Sequence, residues 1–426
     1  MRYYLVILLI DIISHRFTIF GTKFDDDDPE SLWSTGMGNS QSTYRIQPTV
    51  ATNYSKLPWT YEYNLTSQDV TRFGHAAGIN GDFMVCLTTN GNVRWTLYIE
   101  PVEDMDPIGL SNIIVDRQGQ LFYTISWSGD TIYTAKICRV TQAQTSHPVQ
   151  ECVEDYQVFA YVTSSLALDD KYDLLVAAVS DNEIETVPAV LDKITLKLVW
   201  INRHYFGAGM DGQYRCDTNA GDILWLGGDW RLIKFDHNGK NLLNNYTTPS
   251  AGSYDFVLDR QHQIIVQPWQ NGSSLPWKLL VSSYDVSAQQ IKERWRWEAP
   301  SLIADNDDIT SPSIDENGTV YMSSMPLVFA IDTQGKVMWT TRLATSSEME
   351  TYDLTSVYLG MNTKRRVLYV VTVSTYSQKS KFLYFITAVN MDTGKVIKRI
   401  NLNLGTDKQI SPQSLILVGN EMLYFS

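Results

Sequence analysis

Ser311-Pro312-Ser313-Ile314-Asp315-Glu316-Asn317-Gly318-Thr319-Val320-Tyr321-Met322 reads as a short strand, a polar turn and a second strand, because apolar residues flank an Asp-Glu-Asn-Gly turn. Weaker versions of the same cue centre on Gly81, Gly119, Lys171, Gly221, His262, Lys364 and Asn420. With the turn at Gly318 they make eight, roughly 40–55 residues apart, which is the period of a propeller blade. A unit of that size exposes apolar sheet faces that it cannot bury alone, so neighbouring units must stack. The pattern predicts an all-β chain, an eight-bladed β-propeller of four-stranded antiparallel blades.

The second half of the unit follows the same logic. Leu327-Val328-Phe329-Ala330-Ile331 leads into Asp332-Thr333-Gln334-Gly335, a hairpin turn, and then a strand marked by Trp339. Asn390-Met391-Asp392-Thr393-Gly394-Lys395, Asp236-His237-Asn238-Gly239-Lys240 and Thr89-Asn90-Gly91-Asn92-Val93-Arg94-Trp95 repeat this grammar. Trp200, Trp295 and Trp297 take the matching outer-strand positions of other units. Recurrence at one place in the repeat assigns these indoles to packing at the seam between blades.

Asp-Thr-x-Gly-Lys-x-x-Trp preceded by Ser-Pro-x-Ile-Asp-x-x-Gly-x-Val-Tyr resembles the repeat of the pyrroloquinoline-quinone (PQQ)-type propellers, the quinoprotein alcohol dehydrogenase-like superfamily. Trp33 to Gln41 and Leu57 to Tyr63 are similar to the opening of such chains. The likeness runs from about residue 33 to the end and is faint over 125–165. It implies the fold, and it leaves the activity open, because the superfamily holds both enzymes and scaffolds. Its quinone chemistry relies on a vicinal cysteine pair that this chain lacks, so PQQ is not expected.

The last unit supplies Leu415-Ile416-Leu417-Val418, a Gly419-Asn420 turn and Met422-Leu423-Tyr424-Phe425, but no outer strands. Leu57 to Tyr63, with Trp59 at the docking position, reads as the missing outer strand. The expectation is a ring closed by the N- and C-terminal strands, which removes an exposed sheet edge. Residues 33–426 then form one propeller domain.

Composition points outside the cytoplasm. The 426 residues are 44% hydrophobic and 12% aromatic, ample for a large core, and the net charge is −13 with no basic cluster. Nucleic acid is therefore not an expected partner. Met1-Arg2 followed by an apolar run from Tyr3 to Ile13 reads as a signal peptide over 1–21, with an uncleaved anchor as the alternative, and 22–32 is an acidic spacer built on Asp25 to Asp28. No later stretch is a membrane span. Asn53, Asn64, Asn245, Asn271 and Asn317 lie in Asn-x-Ser/Thr sequons, which fits glycosylation in a secreted or secretory-lumen protein. Cys138 and Cys152 bracket a turn-rich excursion and are expected to form a disulfide, whereas Cys86 and Cys216 can pair or stay as thiols.

Catalytic motifs are missing. There is no Gly-x-Ser-x-Gly elbow, no phosphate loop and no His-Glu-x-x-His, and the six histidines are scattered. Acidic connections are more suggestive. Asp104 and Asp106, the run Asp305, Asp307 and Asp308, and Glu348 and Glu350 fall between successive units, where propeller geometry gathers loops at one channel mouth. Such a ring would focus negative potential, with Asp305, Asp307 and Asp308 as candidate calcium ligands and the others as a binding rim for a cation or basic peptide. Ordinary solvated loops are the competing reading. No other cofactor is expected. The sequence favours a monomeric, non-catalytic scaffold that binds a protein or small ligand on a propeller face. The alternative is a quinone- or metal-dependent oxidoreductase, or a hydrolase, with a dispersed site.

Overall fold

In a computed structural model, the chain is described over most of residues 93–154, 161–202, 215–242, 256–299, 310–374 and 384–402, together with shorter strands outside those spans. Two compact units result. Met1–Ser42 with Tyr54–Pro249 form the first, and Thr43–Asn53 with Ser250–Ser426 the second.

Both units are built from antiparallel meanders in which sequence neighbours pair. In the first, Gln68–Val70, Ala76–Asn80, Phe83–Leu87 and Val93–Tyr98 form one four-stranded sheet. The next runs Asp106–Leu110, Leu121–Ser128, Tyr133–Thr141 and Val149–Glu154, with Ile114–Val115 as a second piece of its first strand. Two further four-stranded sheets span 161–201 and 215–247. The second unit holds sheets over 257–298, 313–342 and 354–402, and the hairpin Leu415–Val418 with Met422–Phe425. Serial four-stranded antiparallel sheets are propeller blades, so the fold is all-β as the repeat predicts.

Two pairings add detail at the N-terminus. Leu5–Leu8, inside the predicted signal segment, pairs antiparallel with Thr60–Tyr61 of the predicted orphan outer strand. Arg45–Ile46 pairs parallel with Leu354–Asn362.

One strand of register needs correction in the first blade. The turn at Gly81 joins the second and third strands of its sheet, Ala76–Asn80 and Phe83–Leu87, whereas the turn at Gly318 joins the first and second, Ser313–Ile314 and Val320–Ser324. The cue at Gly81 therefore marks a different position in the blade from the one its resemblance to the turn at Gly318 suggested.

The turns themselves follow one chemical rule. Asp116, Asp236, Asp315 and Asp332 each open an Asp-x-x-Gly loop in which Oδ1 accepts the amides two and four residues on, at 2.8–3.0 Å. The closing glycine donates back to the Asp carbonyl at 3.0 Å. Its φ lies between +77° and +82° in all four loops, a left-handed conformation that suits glycine. The aspartate thus occupies turn amides that a sheet ladder leaves unpaired.

Outer strands carry a second rule. Register shifts leave Arg94, Val199, Arg294 and Met338 as the extra residue of a β-bulge, each directly before Trp95, Trp200, Trp295 or Trp339. A bulge increases local twist and re-aims the next side chain. Here the next side chain is the tryptophan, which reaches the third-to-fourth hairpin of a neighbouring blade. Trp95 Nε1 donates to the Ala143 carbonyl at 2.7 Å, Trp200 to His237 at 3.0 Å and Trp339 to Met391 at 2.8 Å. A Cβ added to Gly239, Gly335 or Gly394 would lie within 2.7–2.9 Å of Trp200, Trp295 or Trp339 respectively. The hairpin glycine is therefore needed twice, for its backbone and for the indole that lies on it.

Between the blades, sheet faces interdigitate into separate cores. Trp95 and Met84 pack with Tyr123, Ile125 and Trp127, and Phe122 and Ile137 with Leu175 and Val187. In the second unit Val281 and Trp297 meet Met322 and Phe329, while Tyr321 and Trp339 meet Leu368 and Val389.

Candidate functional site

One hollow among the described residues lies in the first unit. A cavity of about 380 Å³ opens where the end of Val93–Tyr98 meets the second sheet, lined by Tyr98, Glu100, Lys136, Gln150 and the pair Cys138 and Cys152. The two cysteines face each other across strands Tyr133–Thr141 and Val149–Glu154 and are joined as the expected disulfide. Lys136 holds its ammonium 5.3 Å from the centre of the Trp127 ring, a cation–π contact that fixes a long side chain. Tyr98 is 54% exposed at the rim. Gln150 donates to Cys152 Sγ at 3.4 Å, and its buried Oε1 has no hydrogen-bond partner. The lining offers a phenol, a cation, a carboxylate and a free amide acceptor. Its sulfurs are oxidised and supply no nucleophile. Cys86 is a separate buried thiol whose pKa burial pushes up to about 12.

Elsewhere two clusters of buried charge fasten neighbouring blades. Lys193, with its side chain 3% exposed, sits 2.5 Å from Asp170, 3.4 Å from Asp173 and 3.5 Å from the fully buried Asp116 of the preceding blade. Burial works against the ammonium, yet these carboxylates outweigh it and hold the pKa of Lys193 above the usual lysine range. Burial also raises the carboxyl of Asp116. In the second unit Asp315 of one blade binds Arg366 of the next at 2.7 Å, and Arg366 also reaches Asp392 at 2.8 Å. Neither clasp was legible in advance, because each joins residues far apart in sequence and the aspartates read only as turn residues.

Of the residues proposed for an acidic mouth, Asp104, Asp305, Asp307 and Asp308 lie outside the described residues. Asp106 opens strand Asp106–Leu110 and Glu350 lies in the helix Ser346–Tyr352; their side chains are not described. Glu348 is placed in detail. Its Oε2 accepts the Thr345 amide at 2.8 Å while its own amide donates to Thr345 Oγ1 at 3.1 Å, a capping box that starts this short helix. Its Oε1 takes Arg399 at 2.8 Å. The connection predicted as an acidic loop is thus a capped helical turn, and Glu348 is committed to a cation of its own blade. Among the described residues no group of three or more His, Cys, Asp or Glu is placed to hold a metal ion.

This arrangement gives Glu348 a pH signature. Burial pushes its carboxyl up, but the Thr345 amide and hydroxyl and the Arg399 guanidinium outweigh that and leave its pKa lowered. A carboxyl depressed on folding contributes stability above its unfolded pKa of about 4.3, and the contribution is lost as pH falls through the folded value. Glu348→Gln keeps the cap and removes the charge. Its melting temperature is expected to fall below the parent's at pH 7, with the gap closing below about pH 4; a gap independent of pH would refute the ion pair's contribution.

Asn317 is exposed in the Asp-x-x-Gly turn after Asp315, and Asn271 ends strand Ile264–Asn271. Asn53, Asn64 and Asn245 lie outside the described residues. His237 stacks on Tyr172 with ring centres 4.2 Å apart, and its Nε2 lies 3.1 Å from Asn238 Nδ2; its carbonyl seats the Trp200 indole, so it belongs to a seam between blades. No helix of the described residues is long and apolar enough to cross a membrane.

A feature that composition concealed is the strand Lys292–Glu298. Although the chain is acidic, Lys292, Arg294 and Arg296 are exposed there; the bulge at Arg294 sets Lys292 on the face of Trp295 and Trp297 and Glu293 beside Arg296, to which it is ion-paired at 2.5 Å.

No family model and no curated protein sequence matches the chain. Among solved structures it is similar to BamB from Moraxella catarrhalis, with 13% identity and a TM-score of 0.49 over 82% of this chain and 93% of that one. It is also similar to Hsv2 of Kluyveromyces lactis, with 10% identity and a TM-score of 0.40 over 67% of this chain and 74% of the other. The likeness to PQQ-type repeats therefore rests on the repeat grammar of the sequence, which the four-stranded antiparallel sheets fit.

Proposed function

We propose that the chain is a secreted, non-catalytic propeller scaffold that binds a peptide segment of another protein in the groove beside the Cys138–Cys152 disulfide. The groove carries this reading. Its buried Gln150 Oε1 lacks a donor, and a peptide N–H would satisfy it, which matters because an unmet buried acceptor costs about 1–3 kcal/mol. Tyr98 supplies an exposed aromatic face, the kind of surface on which peptide side chains pack. Lys136 and Glu100 add opposite charges that can set the direction of a bound chain. The reading includes the secretory route suggested by the sequons, a monomer, and one eight-bladed ring closed through the chain's two ends.

The test is to select short peptides from a display library on the immobilised protein and re-measure them on Tyr98→Ala and Lys136→Met. Binding is expected to weaken tenfold or more in both variants. Selected peptides that bind the parent and both variants equally would place the site elsewhere and reject the groove.

A further inference from the structure

An outermost strand presents a row of unpaired backbone groups, and this chain blunts most such edges. A register shift breaks the outer pairing of Val93–Tyr98, Leu198–Ile201, Lys292–Glu298, Val337–Arg342 and Val396–Leu402. The outer strand Tyr246–Thr247 is only two residues long. Val149–Glu154 is different. Its six residues pair with Lys136 to Thr141 without a shift, and its sequence, Val-Gln-Glu-Cys-Val-Glu, holds no lysine, arginine or proline. It ends its sheet, so among the described strands nothing pairs with its far side. The Cα atoms of the directly opposed Cys138 and Cys152 are 4.1 Å apart, the spacing of a non-hydrogen-bonded pair. Arg139 with Glu151 and Ile137 with Val153 are then the hydrogen-bonded pairs, so the N–H and C=O groups of Gln150 and Cys152 point to the open edge.

We infer that this edge takes an extended, positively charged segment of a partner protein as an added strand. The inference rests on the groove reading and gives it a binding mode: main-chain bonds to Gln150 and Cys152 supply affinity, and alternate side chains of the guest enter the groove. Gln150 and Cys152 line that groove together with Tyr98, Ile99 and Ile125, so one pair of residues supplies both the edge and the pocket wall. Gln150 is also the residue whose buried Oε1 lacks a donor. Val149, 44% exposed, offers apolar surface to a guest residue on the opposite face. Charge selects the guest. Along the edge and groove Glu100, Glu151 and Glu154 stand against Lys136 and Arg139, and the whole chain carries −13. A cationic segment is therefore attracted, whereas a second copy of this chain brings the same excess of negative charge to the edge and is repelled.

The probe is a labelled heptapeptide with blocked ends, Lys-Val-Thr-Val-Lys-Val-Thr, titrated by fluorescence anisotropy and then remade with one N-methylated amide at a time. Every second amide of an added strand bonds to its host, so N-methylation should weaken binding about tenfold at alternate positions and less than about twofold between them. The same peptide with glutamate in place of both lysines should bind about tenfold more weakly. Gln150→Pro removes the outward N–H at a place where an edge strand accepts proline, and it should also weaken binding about tenfold; Gln150→Ala, which keeps that N–H, should cost less. If the proline variant misfolds, the N-methyl series on the parent protein decides alone. No binding of the heptapeptide, N-methyl losses without a two-residue period, equal losses in the two Gln150 variants, or equal binding of the glutamate peptide would overturn the inference. The groove reading would survive those results as long as display-selected peptides still depend on Tyr98 and Lys136. A dimer in sedimentation of the parent that Gln150→Pro abolishes would assign the edge to a second copy and would likewise overturn the inference.

Discussion

Asp315→Ala is expected to lower folding stability by about 3–5 kcal/mol, the range for removing one partner of a buried ion pair. Several losses coincide at this residue. Its fully buried carboxylate accepts the amides of Asn317 and Thr319 at 3.0 and 2.9 Å, the Tyr321 hydroxyl at 3.1 Å and Arg366 at 2.7 Å. The first two close the turn of one blade, and the last reaches the next blade. Without the carboxylate, Arg366 would keep Asp392 but lose its inward partner, and the buried Thr319 amide would lose its acceptor. Denaturant unfolding of Asp315→Ala, Arg366→Met and the double variant measures the coupling. A double variant as costly as the sum of the two singles would mean that the pair does not act as a clasp.

Replacing both Cys138 and Cys152 with serine is expected to lower stability by about 3 kcal/mol, the chain-entropy value for a loop of about 15 residues. The crosslink joins directly opposed residues, and Cys138 is 1% exposed in the core that also holds Trp95, Tyr123 and Trp127. Removing it frees the excursion that contains Ala143, whose carbonyl seats the Trp95 indole. Loss should therefore extend past the hairpin to the seam with the preceding blade. Thermal unfolding, followed by tryptophan fluorescence, checks both points. A change below about 1 kcal/mol would show that the excursion is held by Trp95 and by the Arg94 bond to Gln144, without need of the bridge.

How much could be read beforehand depends on the range of each interaction. Turns written as Asp-x-x-Gly were legible because the aspartate, the amides it accepts and the left-handed glycine lie within five residues. Outer strands were legible from Trp95, Trp200, Trp295 and Trp339, since one residue type recurs at one place in the repeat. The blade spanning 106–154 has a first strand in two pieces with a register shift at Ser126/Trp127, and its outer hairpin lacks the glycine grammar. Gln142 takes the positive φ there and a disulfide holds the excursion, so motif reading found it faint. In the first blade, small residues in Ala76–Asn80 gave no contrast with the turn beside them, and the register slipped by a strand. The site was less legible than the fold. Tyr98, Lys136 and Gln150 come from three strands and form a groove only after two blades pack. Arg366 stands 51 residues from Asp315, beyond the reach of any local pattern. Conversely, Glu348 looked like a loop carboxylate because its partner Arg399 lies a full blade length further on.

The seating of each tryptophan on the hairpin that follows gives the chain a direction. A fragment ending after Arg342 would keep the Trp339 indole but have no carbonyl to receive it, since that carbonyl belongs to Met391. A fragment beginning at Leu354 would keep the Met391 carbonyl and the bare Gly394 platform with no ring to cover them. The two cut ends are therefore complementary halves of one joint, a plug and a socket. Pieces severed between Arg342 and Leu354 carry the means to find each other again, and to find the matching end of another copy.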